Sequence, residues 1–133
     1  MTIGIMGAMP EEINQIKQVM QLKETQTIGQ REYHIGMINH HEIVLVFSRW
    51  GKVAASSTAT TLIIHFNVDE LLFVGVAGAI DPELNIGDIV IADKLIQHDM
   101  NASPLYPRHT IPLLNIDYFQ IAQTKQKSLQ KAC

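Results

Sequence analysis

The chain has 133 residues, 47% of them hydrophobic and 17% charged, with a formal net charge of −3. These values fit one folded domain spanning residues 1–133 and exclude a disordered segment. The acidic balance also argues against a partner that presents a phosphate backbone, so no nucleic acid is expected. Cys133 is the only cysteine, so no internal disulfide can form and a reducing, cytoplasmic setting is expected. Glu11 and Glu12 stand early and no basic stretch precedes them, unlike a secretory signal. No apolar run approaches the roughly 20 residues of a membrane span, so no membrane partner is expected.

In chain order, Thr2 to Met9 reads as a short strand entering a glycine-containing turn. Pro10 suits the first helical position, where its missing N–H costs nothing. Glu11 and Glu12 then fall in the first turn, favoured there by the helix dipole. Ile13, Ile16, Val19 and Met20 follow at helical spacing and give one apolar face. Glu12 has two readings: a dipole-favoured surface acid, or a carboxylate beside a pocket at the C-terminal end of a parallel strand, where ligands of α/β sheets sit. A helix N-terminus would keep it ionised, suited to a base rather than an acid.

Arg31 to Met37 alternates, Asn39-His-His41 reads as a turn, and Glu42 to Phe47 is a second strand; an antiparallel hairpin makes the sheet mixed. His34, His40 and His41 form a loop-like cluster with no acid or cysteine at ligand spacing, so no metal site is expected. Ser48-Arg-Trp-Gly-Lys-Val-Ala-Ala55 opens a helix running to about Phe66. Its β-branched residues are weak helix formers, so packing must hold it. Gly51-Lys52 lacks the spacing of a phosphate-binding loop. Trp50 by itself reads as a half-buried packing residue, since tryptophan is usually largely buried.

Leu71 to Ile80 begins as a continuous apolar run and breaks at Gly75 and Gly78, the pattern of a buried strand in a sheet covered on both faces. The glycines would let backbone N–H groups approach a ligand. A further strand is expected over Ile89 to Lys94, extending towards His98. A long proline-containing loop, Asp99 to Asn115, follows; such loops tend to be functional or to dock. Asp117 is expected to cap a final helix containing Tyr118, Phe119, Ile121, Ala122 and Leu129. The order is β-α-β-β-α-β-β-α.

Three segments together resemble the nucleoside phosphorylase/hydrolase superfamily and, within it, the 5′-methylthioadenosine/S-adenosylhomocysteine nucleosidase family. They are Ile3-Gly-Ile-Met-Gly-Ala-Met-Pro-Glu-Glu12, the Gly51-Lys-Val-Ala-Ala55 segment, and Val74-Gly-Val-Ala-Gly-Ala-Ile80 with Gly87-Asp-Ile-Val-Ile-Ala-Asp93. The resemblance implies a three-layer α/β/α fold with a mixed central β-sheet, truncated to the family's N-terminal half. It implies hydrolysis of an N-ribosidic bond in a purine nucleoside, without a cofactor, in a homodimer. By the same resemblance Glu12 helps activate the attacking water and Met9 lines the pocket for the 5′-alkylthio group. Trp50 resembles a pocket-wall position, and Val76, Ala77 and Gly78 stand at the substrate-binding end of the strand. Leu105 and Tyr106 reach across the dimer interface towards the partner's pocket.

Two departures matter. Val76 stands where some members have serine, so a serine role is not carried over. The family's Met-Glu-Met-Glu-like motif, which holds the ribose hydroxyls, and its Ser-Asp motif, which protonates the purine, do not occur in these residues. The chain by itself is therefore expected to be inactive or nearly so. Acids at residues 11 and 12 would repel phosphate, which favours hydrolysis over phosphorolysis. A nucleoside phosphorylase, a futalosine-type hydrolase and a non-catalytic binding protein are the alternatives.

Overall fold

In a computed structural model that describes residues 1–132, Thr2–Gly7 forms strand β1 and Pro10–Val19 forms helix α1. Strands β2 (Gln21–Ile28), β3 (Arg31–Ile38) and β4 (His41–Phe47) follow, then helix α2 (Lys52–Ile64) and strand β5 (Glu70–Phe73). These elements belong to a unit spanning Met1–Gly78, distinct from one that starts at Ala79. Cys133, and with it the cysteine reading, lies outside the described residues.

The first unit is built on a five-stranded sheet in the order β2-β3-β4-β1-β5. The β2-β3-β4 meander is antiparallel, whereas β4 and β5 flank β1 in parallel. The expected mixed sheet is therefore observed, with one helix on each face. Side-chain alternation assigns the faces. Ile5, Ile43 and Leu45 pack with Ile13 of α1 and with Met20 just after it, while Met6, Val44 and Val46 meet Leu62 of α2 beside Tyr33 of β3. The β-branched hydroxyls of α2 are absorbed locally. Thr58 and Thr61 donate to the carbonyls of Ala54 and Ser57, four residues back, at 2.8 and 2.9 Å.

Several expectations are corrected. The first is strand β2, which the sequence does not announce: its residues are almost all polar and exposed. It is held by pairing with β3, with an irregularity between Leu22 and Glu24. A Cβ on Gly36 would come within 2.4 Å of the Gln21 carbonyl oxygen, so the close approach there requires glycine. Second, the run expected as a doubly covered strand ends at Phe73. β5 is an edge strand, and Leu72 packs on the core while Phe73 is 60% exposed. Pairing on one side only leaves the outer side open. Further corrections lie in the second unit and at His34.

That unit contains two-residue strands β6 (Lys94–Leu95) and β7 (Phe119–Gln120), which pair antiparallel, and helix α3 (Gln123–Ala132). Ile89 and Val90 are about 70% exposed and lie in no strand, because the run has no pairing partner. Asp117 does not cap a helix. It accepts a hydrogen bond from Thr110 Oγ1 at 2.7 Å, and the helix begins six residues later.

His34 is not a loop residue. It lies on β3, 6% exposed, facing α1 beside its register partner Leu45. Lys17 Nζ donates to its Nε2 at 3.0 Å, and a lysine ammonium can only donate. Nε2 therefore accepts, and Nδ1 holds the proton and donates to Thr25 Oγ1 at 3.0 Å. Burial, followed by the Lys17 charge, holds the His34 pKa below the usual value, with Glu32 opposing. The depressed folded-state pKa fixes the sign. The contribution is fully present above the unfolded value of about 6.5 and is lost as pH falls through the folded pKa. The thermal midpoint is expected to drop on acidification from pH 7, and His34→Gln should flatten that slope. An unchanged slope in the variant would assign the loss to other groups.

Candidate active site

The three parallel strands end together. β4 stops at Phe47, β1 at Gly7 and β5 at Phe73, and main-chain bonds join the ends. Ser48 donates to the Gly7 carbonyl from both its N–H (2.8 Å) and its Oγ (2.9 Å), and the Val74 N–H donates to Met6 (3.0 Å). This is the carboxyl edge of a parallel sheet, where α/β folds place ligands.

Glu12 stands over that edge, partly exposed, on the first turn of α1. Its Oε2 accepts the N–H groups of Ala8 (2.7 Å) and Met9 (2.9 Å). The bond from the Met9 N–H is the acid half of a capping box. Its Oε1 accepts the N–H of Val76 at 3.0 Å, so one carboxylate ties the turn after β1 to the segment after β5. The Val76 N–H is the largest influence holding the Glu12 carboxyl below its usual pKa; burial opposes it, and the Met9 and Ala8 N–H groups add to it. The group is thus an ionised acceptor near neutral pH. Each carboxylate oxygen has two lone pairs, so Oε1 keeps one for a water.

Two glycines make room for it. A Cβ on Gly75 would lie 2.8 Å from Glu12 Oε1 and 3.0 Å from its Cδ. A Cβ on Gly7 would lie 2.8 Å from Ile13 Cγ2 and 3.2 Å from Glu12 Oε2. The expectation that the glycines admit a ligand is therefore refined: Gly75 admits Glu12, whereas Gly78 has open space around it. Gly75→Ala is expected to displace the flexible Glu12 side chain rather than the backbone. It should change stability by no more than about 1 kcal/mol while freeing the Val76 amide, read as faster hydrogen exchange there. Unchanged Val76 protection would show that Glu12 keeps its place.

The other residues expected at the site fall into two groups. Met9, Trp50, Val76, Ala77 and Gly78 belong to the same unit as Glu12. Trp50 is 74% exposed, so it is not a packing residue, and the Val76 side chain is 90% exposed although its N–H is engaged. Met9 is 42% exposed at the N-terminus of α1. Leu105 and Tyr106 belong to the second unit, Leu105 largely exposed and Tyr106 half-buried. Ser48 and Ala8 were not singled out from the sequence. A serine directly after an apolar strand was the available signal for the first; a backbone N–H leaves none for the second.

Comparison with known proteins adds a lineage to this geometry. The family model described as the phosphorylase superfamily matches residues 2–133. A 5′-methylthioadenosine/S-adenosylhomocysteine nucleosidase of Mycobacterium bovis is 41% identical over 98 residues, 74% of this chain and 38% of the relative. An aminodeoxyfutalosine nucleosidase of Helicobacter pylori is 38% identical over 112 residues, 83% of this chain and 49% of the relative. The structure of the S. pneumoniae 5′-methylthioadenosine/S-adenosylhomocysteine nucleosidase with a transition-state inhibitor superposes with a TM-score of 0.92 at 36% identity. It covers 100% of this chain and 58% of that one. The chain thus spans about half the length, or less, of the curated relatives it matches.

Proposed function

The chain belongs to the phosphorylase superfamily, and from that footing we propose that it supplies the water-activating part of an adenosine-type nucleosidase. The reaction is hydrolysis of the N-ribosidic bond of 5′-methylthioadenosine and S-adenosylhomocysteine. The observation that favours this reading is the cradle of Glu12, three backbone N–H groups on one carboxylate at the carboxyl edge of the sheet. In hydrolysis the water oxygen bonds to C1′ as the bond from C1′ to the purine breaks. The bond's electrons leave with adenine, which takes up a proton, and the water gives a proton to a base. Carboxylates serve these roles in the related hydrolysis of glycosides. Glu12 is placed to orient the water and take its proton, and its negative charge disfavours phosphate as the nucleophile.

The carboxylates that would hold the ribose and protonate the purine have no counterpart motif in these residues. Each such loss costs about 10²–10⁴-fold, so the expected result is slow release of adenine from 5′-methylthioadenosine, indifferent to added phosphate and abolished by Glu12→Ala. Release that requires phosphate, with a sugar phosphate as product, would overturn hydrolysis in favour of phosphorolysis. A homodimer in the cytoplasm is part of the proposal. Its support is the exposure of Leu105 and the proximity in sequence of Tyr106, and sedimentation at micromolar concentration tests the dimer.

A further inference from the structure

The charged residues at the end of β4 play no part in the chemistry above, yet they surround a cleft. Arg31, Arg49, Glu32, His34, Gln30 and Phe47 line a space of about 280 Å3. Neither arginine is neutralised by an acid. Arg31 donates from Nε to the Ser48 carbonyl (3.2 Å) and from Nη1 to the Gly29 carbonyl (3.1 Å). Arg49 donates from Nη2 to the Gln30 carbonyl (2.5 Å). Among the described residues no carboxylate forms an ion pair with either. A guanidinium has five N–H donors, so main-chain carbonyls fix each group while leaving donors and full charge for a ligand.

Arg49 is also held at φ 69°, the left-handed region that disfavours side chains. Backbone strain of this kind gathers at ligand clamps. Arg49 follows Ser48, which is bonded to Gly7 at the turn that carries Glu12, and it precedes the exposed Trp50. The cleft therefore adjoins the carboxyl edge of the sheet within the same unit. Its one acid is Glu32, whose Oε2 lies 3.8 Å from His34 Nε2. Two cations with one anion suit an α-amino acid, which carries both charges, better than a bare anion.

We infer that this cleft holds the amino-acid end of a nucleoside's 5′ extension, with the carboxylate on Arg49 and Arg31 and the ammonium beside Glu32. Arg49 is then a specificity-determining residue. It favours S-adenosylhomocysteine, which ends in an amino acid, over 5′-methylthioadenosine, which ends in a methyl group. This rests on the nucleosidase reading and adds to it the residues that choose between its two substrates.

The test is calorimetric titration of the chain with each nucleoside and with inorganic phosphate, in wild type, Arg49→Gly, Arg49→Lys and Glu32→Gln. Arg49→Gly relieves the backbone strain, and an unchanged circular dichroism spectrum shows that the variant is folded. Expected is a preference for S-adenosylhomocysteine over 5′-methylthioadenosine that falls by about 10-fold or more in Arg49→Gly. Arg49→Lys should restore part of the preference, and Glu32→Gln should reduce it. A ratio of the two affinities unaltered by Arg49→Gly, with both nucleosides binding, would overturn this inference alone. Arg49-dependent binding of phosphate without a preference between the nucleosides would assign the cleft to a simple anion and overturn it too. Failure of both nucleosides to bind wild type would overturn this inference, whereas the nucleosidase reading is decided separately by Glu12-dependent adenine release.

Discussion

Glu12→Gln is expected to reduce adenine release by about 10²–10⁴-fold, and to speed hydrogen exchange at the backbone amides that Glu12 now holds. The carboxylate accepts three N–H groups with two oxygens: Ala8 and Met9 on Oε2, Val76 on Oε1. Glutamine offers one oxygen. Its NH2 group must face either Ala8 and Met9 or Val76, donor against donor, so one side of the cradle opens. Loss of the charge also removes the base. The two readouts separate the roles, because a purely structural Glu12 would change exchange and leave the release of adenine intact. The sign of the pH dependence follows from the lowered carboxyl pKa. Glu12 stays ionised above the ordinary carboxylate range, so the activity and stability it supplies should be lost only as pH falls through its depressed folded value. Full adenine release by the glutamine variant would remove Glu12 from the mechanism.

Leu45→Ala is expected to destabilise the first unit by about 2–5 kcal/mol, measured as the shift in urea midpoint at constant slope. Leu45 has no exposed surface and sits on β4, one strand from β1. It lies between Ile5 on one neighbour and His34 on the other, under Ile13 of α1 and Met20 just beyond the helix. A cavity there has no solvent side into which neighbours could collapse. Leu45→Met, nearly equal in volume, should cost less than about 1.5 kcal/mol. Equal losses in the two variants would point to a cause other than the cavity.

The parts of this fold that were legible in the sequence are those where local signals and burial agree. The Thr2–Gly7 strand, the Pro10 start of α1 with its acids, and the Glu42–Phe47 strand all combine a turn signal with an apolar pattern. β2 combines neither: apart from the exposed Leu22, Gln21 to Thr27 is polar, and only its pairing with β3 makes it a strand. The opposite failure occurs at Ile89 to Ala92. Its side chains favour a strand, but a strand needs a neighbour, and hydrophobicity says nothing of whether one is near. At the candidate site, Glu12 was visible from its position in the first helical turn. Val76 was named as well, but its bond to Glu12 was not legible, because a backbone N–H donates whatever side chain it bears, and 64 residues separate the two.

The central place of β1 has a consequence for the order in which the protein comes into being. β1 precedes both of its neighbours in the chain: Thr2 pairs with Glu42, and Ile3 with Glu70. The meander from β2 to β4 pairs through short turns and can form first, whereas distant parallel pairing must overcome the entropy of closing long loops. The β1 segment must therefore wait, unpaired, until β4 has emerged, and gains its second neighbour only when β5 follows. The Glu12 cradle waits longer still, because its last donor is Val76. Within the first unit the Glu12 cradle is thus completed late, and a chain arrested before residue 76 would hold the carboxylate without its third donor.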